Sequence, residues 1–281
     1  MLKRAYVEIT NVCNLRCAFC PGTKRSPRFL SEEEFALVAD RLRGHVSYLY
    51  LHLMGEPLLH PALPKLLELA AQREMKVCLT TNGALLGQRS EELLSARALY
   101  KLSVSLHSIE ENGGDPAAAR CYLETVWDFA CHAAAQGVIC ALRLWNGGAA
   151  DKHNDVILDF LRQKTGSAAW PEARAHSFRL RERIYLERES AFVWPDLEAD
   201  ETHTELCLAL RDQIGVLSDG TVVPCCLDHE GELALGNLFE QELDEILDSP
   251  RARALFDGFS RRRPGEELCR RCGYATRFNK A

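Results

Sequence analysis

The chain has 281 residues, 47% hydrophobic and 26% charged, with a formal net charge of −6. That suits one main domain with a small appendage, and the acidic balance leaves no overall footprint for nucleic acid or a membrane surface. No run of about eighteen apolar residues and no charged–apolar–small signal pattern is present, so a cytoplasmic location is expected, where the twelve cysteines read as metal or redox groups rather than disulfides.

A first strand is expected over residues 5–9, running directly into Thr10-Asn11-Val12-Cys13-Asn14-Leu15-Arg16-Cys17-Ala18-Phe19-Cys20. Short apolar runs then alternate with segments whose apolar residues recur every three or four positions. Strands are expected at 46–53, 76–80, 102–106 and 139–144, with a sixth across 177–186. Helices are expected at 31–43, 61–73, 88–96, 117–136 and 152–161. Ser31 with Glu34 forms a capping box, and Pro61 suits a first helical turn. Repeated βα units imply an α/β fold with a parallel sheet and right-handed crossovers, and six of them suggest a partial (β/α)6, TIM-like barrel. Active sites of such barrels lie at the C-terminal ends of the strands.

The spacing C-x3-C-x2-C has no fourth cysteine or histidine nearby; the next histidine is His45. Structural zinc takes four protein ligands, and a 4Fe–4S cluster normally takes one thiolate per iron. Three thiolates on one polar loop leave one iron open, and an open iron is where chemistry takes place. The alternative, three inert structural cysteines, does not suit a loop carrying Asn14 and Arg16.

This run resembles the signature of the radical S-adenosylmethionine (SAM) superfamily, including the aromatic Phe19 before the last cysteine. The resemblance implies that Cys13, Cys17 and Cys20 hold a 4Fe–4S cluster whose open iron is chelated by SAM, which is cleaved to methionine and a 5′-deoxyadenosyl radical. It implies further that Gly55, Glu56 and Pro57, ending the second strand, bind the SAM ammonium through backbone carbonyls, and that Asn82 and Gly83 shape the floor beside it. On the fourth strand Ser103, Ser105 and His107 share a face by period-two alternation, and Ser105 is the expected SAM contact. Arg143 inside an apolar strand needs an anionic partner, either the SAM carboxylate or a helix carboxylate. Asn146 at that strand's end is expected to reach the ribose. The alternating charges of residues 178–188 read as a protected edge strand, mostly at the surface.

Beyond the barrel stand Cys207, Cys225, Cys226, Cys269 and Cys272. Residues 213–217 and 221–224 flank Ser218-Asp219-Gly220, a hairpin signal. A zinc ribbon uses two C-x2-C pairs, whereas here only Cys269 and Cys272 form one. The arrangement resembles the SPASM or twitch lobe of radical SAM enzymes, and implies one auxiliary 4Fe–4S cluster on Cys207, Cys225, Cys269 and Cys272. Cys225 is favoured over Cys226 because it follows Pro224 in the family-like position. Cys78, Cys121, Cys131 and Cys140 read as core, and His52 and His229 as structural. Arg211 and Asp212 are the expected catalytic pair, placed between the two clusters. Phe192-Val193-Trp194-Pro195 is a candidate wall against water.

The expected domains are a core at 1–195 and an auxiliary lobe at 196–281. The expected function is SAM-dependent oxidation of a small molecule, as in twitch-type dehydrogenases, with two 4Fe–4S clusters, SAM, and an external electron donor such as flavodoxin or ferredoxin. Peptide maturation by thioether formation or epimerisation is the alternative; a chain starting on its first barrel strand, without a leader-binding domain, weighs against it. RNA modification rests only on nine lysines and arginines against three acids after residue 250. A non-catalytic iron–sulfur carrier or zinc protein leaves the Gly-Glu-Pro strand end unexplained.

Overall fold

The structure is a computed structural model describing residues 2–111, 116–148, 153–202 and 206–278; Lys152 of the fifth expected helix and Lys280 of the basic stretch lie outside them. Eleven strands make one open sheet in the order β11-β10-β9-β1-β2-β3-β4-β5-β8-β7-β6. In chain order these are β1 (Arg4–Val7), β2 (Tyr48–Tyr50), β3 (Lys76–Thr81), β4 (Leu99–Ser105), β5 (Ile139–Gly147), β6 (Glu172–Arg174), β7 (Ser177–Arg181), β8 (Ile184–Ser190), β9 (Gln213–Val216), β10 (Thr221–Val223) and β11 (Gly236–Asn237). From β1 to β5 every neighbour is parallel, and β8 pairs parallel to β5 as the sixth member. The expected partial barrel is present, and its sheet is not closed.

The crossovers are α1 (Glu32–Leu42), α2 (Leu63–Gln72), α3 (Leu86–Ser95), α4 (Pro116–Ala135) and α5 (Asn154–Thr165). Each turns one apolar stripe to the sheet: α1 buries Phe35, Val38, Ala39 and Leu42, and α5 buries Ile157, Leu158, Phe160 and Leu161. The Ser31 capping box forms as expected, the hydroxyl accepting from the Glu34 N–H and the Glu34 side chain accepting from the Ser31 N–H. The lobe adds α6 (Leu243–Leu247), α7 (Pro250–Ser260) and α8 (Glu267–Arg270).

Two features depart from the sequence reading. Residues 177–186 are not one strand but the hairpin of β7 and β8, turning through Arg183 at φ +59°. Only the second arm joins the parallel sheet. The lobe, moreover, is not merely appended. Its strand β9 pairs parallel to β1, from Arg4 with Gln213 to Val7 with Val216, and β10 returns antiparallel as expected around Ser218-Asp219-Gly220.

A single buried carboxylate ties these parts together. Glu8, directly after β1, is fully buried. It accepts both arms of Arg25 at 2.8 and 2.7 Å, the Ser218 hydroxyl at 3.0 Å and the Met54 N–H at 3.2 Å. Those donors come from the cysteine-loop return, the lobe hairpin and the end of β2. A bidentate arginine supplies a planar fork that matches a carboxylate, and the neutral donors occupy its remaining lone pairs. Glu8→Ala should lower stability by about 3–5 kcal/mol, because it strands a largely buried guanidinium. Urea unfolding of anaerobic protein measures this, and the Glu8→Ala/Arg25→Ala double variant should lose less than the sum of the two.

Candidate active site

The cysteine loop is held at both ends. Thr10 accepts from the Val12 N–H at 3.0 Å and donates to the Arg28 carbonyl at 2.9 Å. Asn11 donates to the Ser26 carbonyl and accepts from the Arg28 N–H. Between these anchors Cys13 and Cys20 are exposed and Cys17 half-buried. The end of β2 presses on the same loop. Gly55 has φ +75°, and a Cβ there would lie 2.4 Å from the Thr10 carbonyl oxygen and 2.8 Å from that of Val12. The close approach expected of this glycine is therefore made to the cysteine-loop backbone.

Glu56 continues this brace. Its N–H donates to the Val12 carbonyl, and its buried carboxylate accepts from the N–H groups of Asn82 at 2.7 Å and Leu58 at 3.0 Å. Burial pushes that carboxyl up to about 7, although both N–H groups favour its ionised form. Asn82 in turn donates to the Asn14 side chain at 2.9 Å and stands 4.0 Å from Cys13 Sγ. The ends of β1, β2 and β3 thus form one hydrogen-bonded unit around the first three cysteines.

Inside the barrel the charges are arranged otherwise than expected. Arg143 donates to Glu187 at 3.1 Å and to Thr80 at 3.2 Å. Its partner lies on the neighbouring strand, because Arg143 and Glu187 are in register between β5 and β8; neither a helix carboxylate nor a cofactor is needed to explain it. Lys101 and Arg174 reach the same carboxylate at 2.9 and 3.0 Å. Burial alone would raise the Glu187 carboxyl, but Arg143 and Lys101 hold it down to about 2. Glu187 is an inward residue of the segment whose alternating charges read as surface. Ser105 stands in register beside Arg143, half-buried on the interior face.

Two further expectations are corrected. Asn146 shares the outward face of β5 with Leu142 and Leu144, and exchanges two 3.1 Å hydrogen bonds with Asn154 at the start of α5. It points away from any ribose in the barrel. Arg211 and Asp212 precede β9, and Asp212 accepts from Lys3, both backbone to backbone and through a 3.1 Å ion pair. Because β9 runs parallel to β1, they stand at the N-terminal end of the sheet, opposite the cysteine loop. They take no part in the site.

The second cysteine set converges on one cavity in the lobe. Cys207, Cys225, Cys269 and Cys272 line it with Pro195, Leu227, Leu268 and Phe259. Cys226 does not line the cavity: it packs behind it, against Leu53, Leu217 and Val223 and against the Leu227, Cys272 and Ala275 cluster, with its thiol at Tyr6. A cleft of about 710 Å³ adjoins this cavity, sharing Pro195, Leu227, Asp228 and Leu268 with it and reaching Pro21 beside Cys20.

The family model of the radical SAM superfamily matches residues 7–148, and that of the SPASM iron–sulfur cluster-binding domain matches residues 207–273. This chain belongs to the radical SAM superfamily. Among similar curated proteins, the antilisterial bacteriocin subtilosin biosynthesis protein AlbA of Bacillus subtilis is 26% identical over 278 residues, 90% of this chain and 61% of AlbA. The Fe-coproporphyrin III synthase of Methanosarcina barkeri is 32% identical over 107 residues, 37% of this chain and 27% of the synthase. The chain thus spans between about a quarter and three fifths of these relatives. Among solved structures, BtrN in complex with AdoMet and 2-DOIA superimposes with a TM-score of 0.59 at 17% identity, covering 97% of this chain and 93% of BtrN. SuiB of Streptococcus suis bound to the precursor peptide SuiA gives 0.65 at 17%, covering 97% and 70%.

The radical SAM domain binds SAM and a 4Fe–4S cluster, and the SPASM domain binds auxiliary iron–sulfur. The donor sets fit these groups. Burial pushes the thiols of Cys207 up to about 11 and of Cys225 well above their ordinary range, and each neighbouring thiolate would push further. Iron supplies the positive charge that lets such thiols ionise together. A four-iron cage spreads one thiolate per iron around a cavity. No helix among the described residues is long and apolar enough to cross a membrane.

A closed ring of aromatic contacts joins the two regions. Phe19 lies 4.6 Å from the His107 ring, and His107 Nδ1 stands 3.2 Å from the Arg143 carbonyl and 3.4 Å from the Trp145 N–H. The Arg277 guanidinium covers Trp145 at 5.6 Å and Tyr274 at 3.9 Å. Tyr274 meets Phe192 at 5.0 Å, Phe192 meets Trp194 at 5.3 Å, and Trp194 Nε1 donates to the Phe19 carbonyl at 3.0 Å. The phenylalanine and tryptophan singled out between barrel and lobe belong to this ring.

Two outcomes follow from the glycine contact and the thiol cavity. Gly55→Ala should displace the cysteine loop and lower iron content after anaerobic reconstitution from about eight toward about four per chain. Cys225→Ala should remove the lobe's iron while Cys226→Ala largely spares it, with iron titration and visible absorption as the readouts.

Proposed function

We propose that this radical SAM enzyme is an oxidoreductase that dehydrogenates a small molecule, with a core at 1–195 and one auxiliary cluster in the lobe at 196–281. The supporting observation is the cavity lined by four cysteines, which shares its lining with a cleft reaching the cysteine loop. In this reading Cys13, Cys17 and Cys20 ligate the open cluster, and Cys207, Cys225, Cys269 and Cys272 close the auxiliary one. Full thiolate ligation suits the latter to electron transfer. When bound, these groups supply a 5′-deoxyadenosyl radical and, beside it, an acceptor for one electron, with an external donor such as flavodoxin or ferredoxin driving SAM cleavage. The substrate gives up a hydrogen atom from carbon, a proton from oxygen and one further electron, so that an alcohol becomes a carbonyl.

The chain's own residues position, enclose and accept. Gly55, Glu56 and Pro57 hold the strand end against the cysteine loop, while Asn82 braces Asn14 beside Cys13. Ser105 offers a hydroxyl on the interior face. Trp145, Phe192 and Tyr274 supply an apolar wall beside this space, which disfavours water that would quench a carbon radical or leak protons. His107, in the ring of aromatic contacts, is pushed down to about 4 by burial. It is neutral at pH 7 and available to take the departing proton.

A peptide substrate is the second reading, supported by the identity with AlbA along 90% of the chain. One variant tests the role given to the lobe, and a choice of substrates separates the two readings. Cys269→Ala/Cys272→Ala should still form 5′-deoxyadenosine from SAM with dithionite, yet yield no oxidised product from alcohols that the wild type converts. Normal turnover in that variant would make the lobe structural. Stimulation of SAM cleavage by peptides and by no small alcohol would favour the second reading.

A further inference from the structure

The barrel mouth carries more positive charge than the protein itself balances. Lys101 and Arg143 converge on Glu187, which Arg174 also contacts. Arg277, brought in by the lobe's last described turn, stands over the same Trp145 ring as Arg143. The Arg143 guanidinium lies 4.6 Å from the Trp145 ring and that of Arg277 5.6 Å from it. Arg277 touches three aromatic faces, of Tyr274, Phe192 and Trp145. Among the described residues it pairs with no carboxylate.

Two buried polar atoms in this contact lack a partner, Arg277 Nε and Trp145 Nε1. Both can only donate. Buried donors in folded proteins are almost always satisfied, and leaving one unpaired costs about 1–3 kcal/mol. The missing partner is therefore an acceptor, and next to two guanidiniums an anionic acceptor gains most. His52, on the same interior surface, is held neutral by burial and by Arg143 and Lys101, so it adds no charge of its own. An amine placed here would meet like charges.

We propose that the substrate carries an anionic group, a carboxylate or phosphate, bound at the barrel mouth by Arg277 and Arg143 beside Trp145. This rests on the small-molecule reading above and narrows it. The site sits where the lobe meets the barrel, so the anion also fastens the last described turn to the end of β5. Arginine suits the role because its planar fork meets two oxygens at once while its face stacks on aromatic rings.

The probes are malonate and inorganic phosphate, titrated calorimetrically into the reconstituted, SAM-saturated holoenzyme, with iron content and SAM affinity measured on the same preparation. Either anion should bind the wild type in the millimolar range, malonate favouring a carboxylate and phosphate a phosphoryl group. Arg277→Gln should weaken that binding by about tenfold or more, as expected for loss of a charge-assisted bond. Arg261→Gln, on the exposed end of α7, should not change it. If Arg277→Gln fails to take up iron, Arg277→Lys decides: it keeps the charge but loses the fork, so weaker binding supports the site and wild-type binding overturns it. Equal affinity in wild type and Arg277→Gln would also overturn the proposal, as would a wild-type holoenzyme with full iron and normal SAM binding that takes neither anion. Weakened SAM affinity with anion binding untouched would assign the donors to the cofactor and overturn it too. A wild type that bound neither two clusters nor SAM would instead remove the underlying reading.

Discussion

Everything around the first cysteine set hangs on the Glu8 carboxylate. It lies at the end of the first strand, out of water, where a charge is tolerated only if it is paired and fully hydrogen-bonded. Arg25 meets that requirement from the far side of the cysteine loop, Ser218 from the lobe hairpin, and Met54 from the strand end bearing Gly55. One desolvated charge thereby sets the positions of three segments far apart in sequence. The lobe is registered to the barrel here as well as through the β1–β9 pairing, so the cavity of the second cysteine set has a defined place relative to the first.

From that anchor the site is built by short backbone contacts. Gly55 permits the second strand to end against the carbonyls of Thr10 and Val12, where any side chain would collide. Glu56 then spans to Asn82, and Asn82 to Asn14, so the cysteine loop rests on two neighbouring strand ends. A loop that must present three thiolates to one cluster gains from such preorganisation, because less ordering remains to be done when iron arrives.

The space above this platform has two contrasting linings. Its rim is aromatic, a circuit from Phe19 through His107, Trp145, Tyr274, Phe192 and Trp194 back to the Phe19 carbonyl. Its interior is cationic, with Glu187 shared among Lys101, Arg143 and Arg174. An apolar rim protects a reactive intermediate, while interior charge selects what may enter. The rim draws residues from barrel and lobe, with Tyr274 on the lobe side, so the junction between them frames this space.

Local pattern made much of this legible from sequence. The cysteine spacing, the strand–helix alternation, the Ser31 capping box and the Ser218-Asp219-Gly220 turn are all encoded within a few neighbouring residues. The family, its cofactors and the partial barrel follow from them. What escaped is whatever depends on which distant segments meet. The alternating charges of residues 178–188 suit a surface edge equally well, and only the β5–β8 register turns Glu187 inward against Arg143. Asn146 lies beside an inward residue yet faces α5, because the strand alternates and its phase is set by the sheet. Arg211 and Asp212 follow Cys207 closely in sequence, but the parallel pairing of β9 with β1 carries them to the opposite end of the barrel. Glu8 read as one more strand residue, since its donors lie 17 to 210 positions away. Sequence determined the chemistry available to this protein, through short-range spacing; the tertiary structure decided which charges face the barrel interior, because strand pairing and register join residues that no local pattern connects.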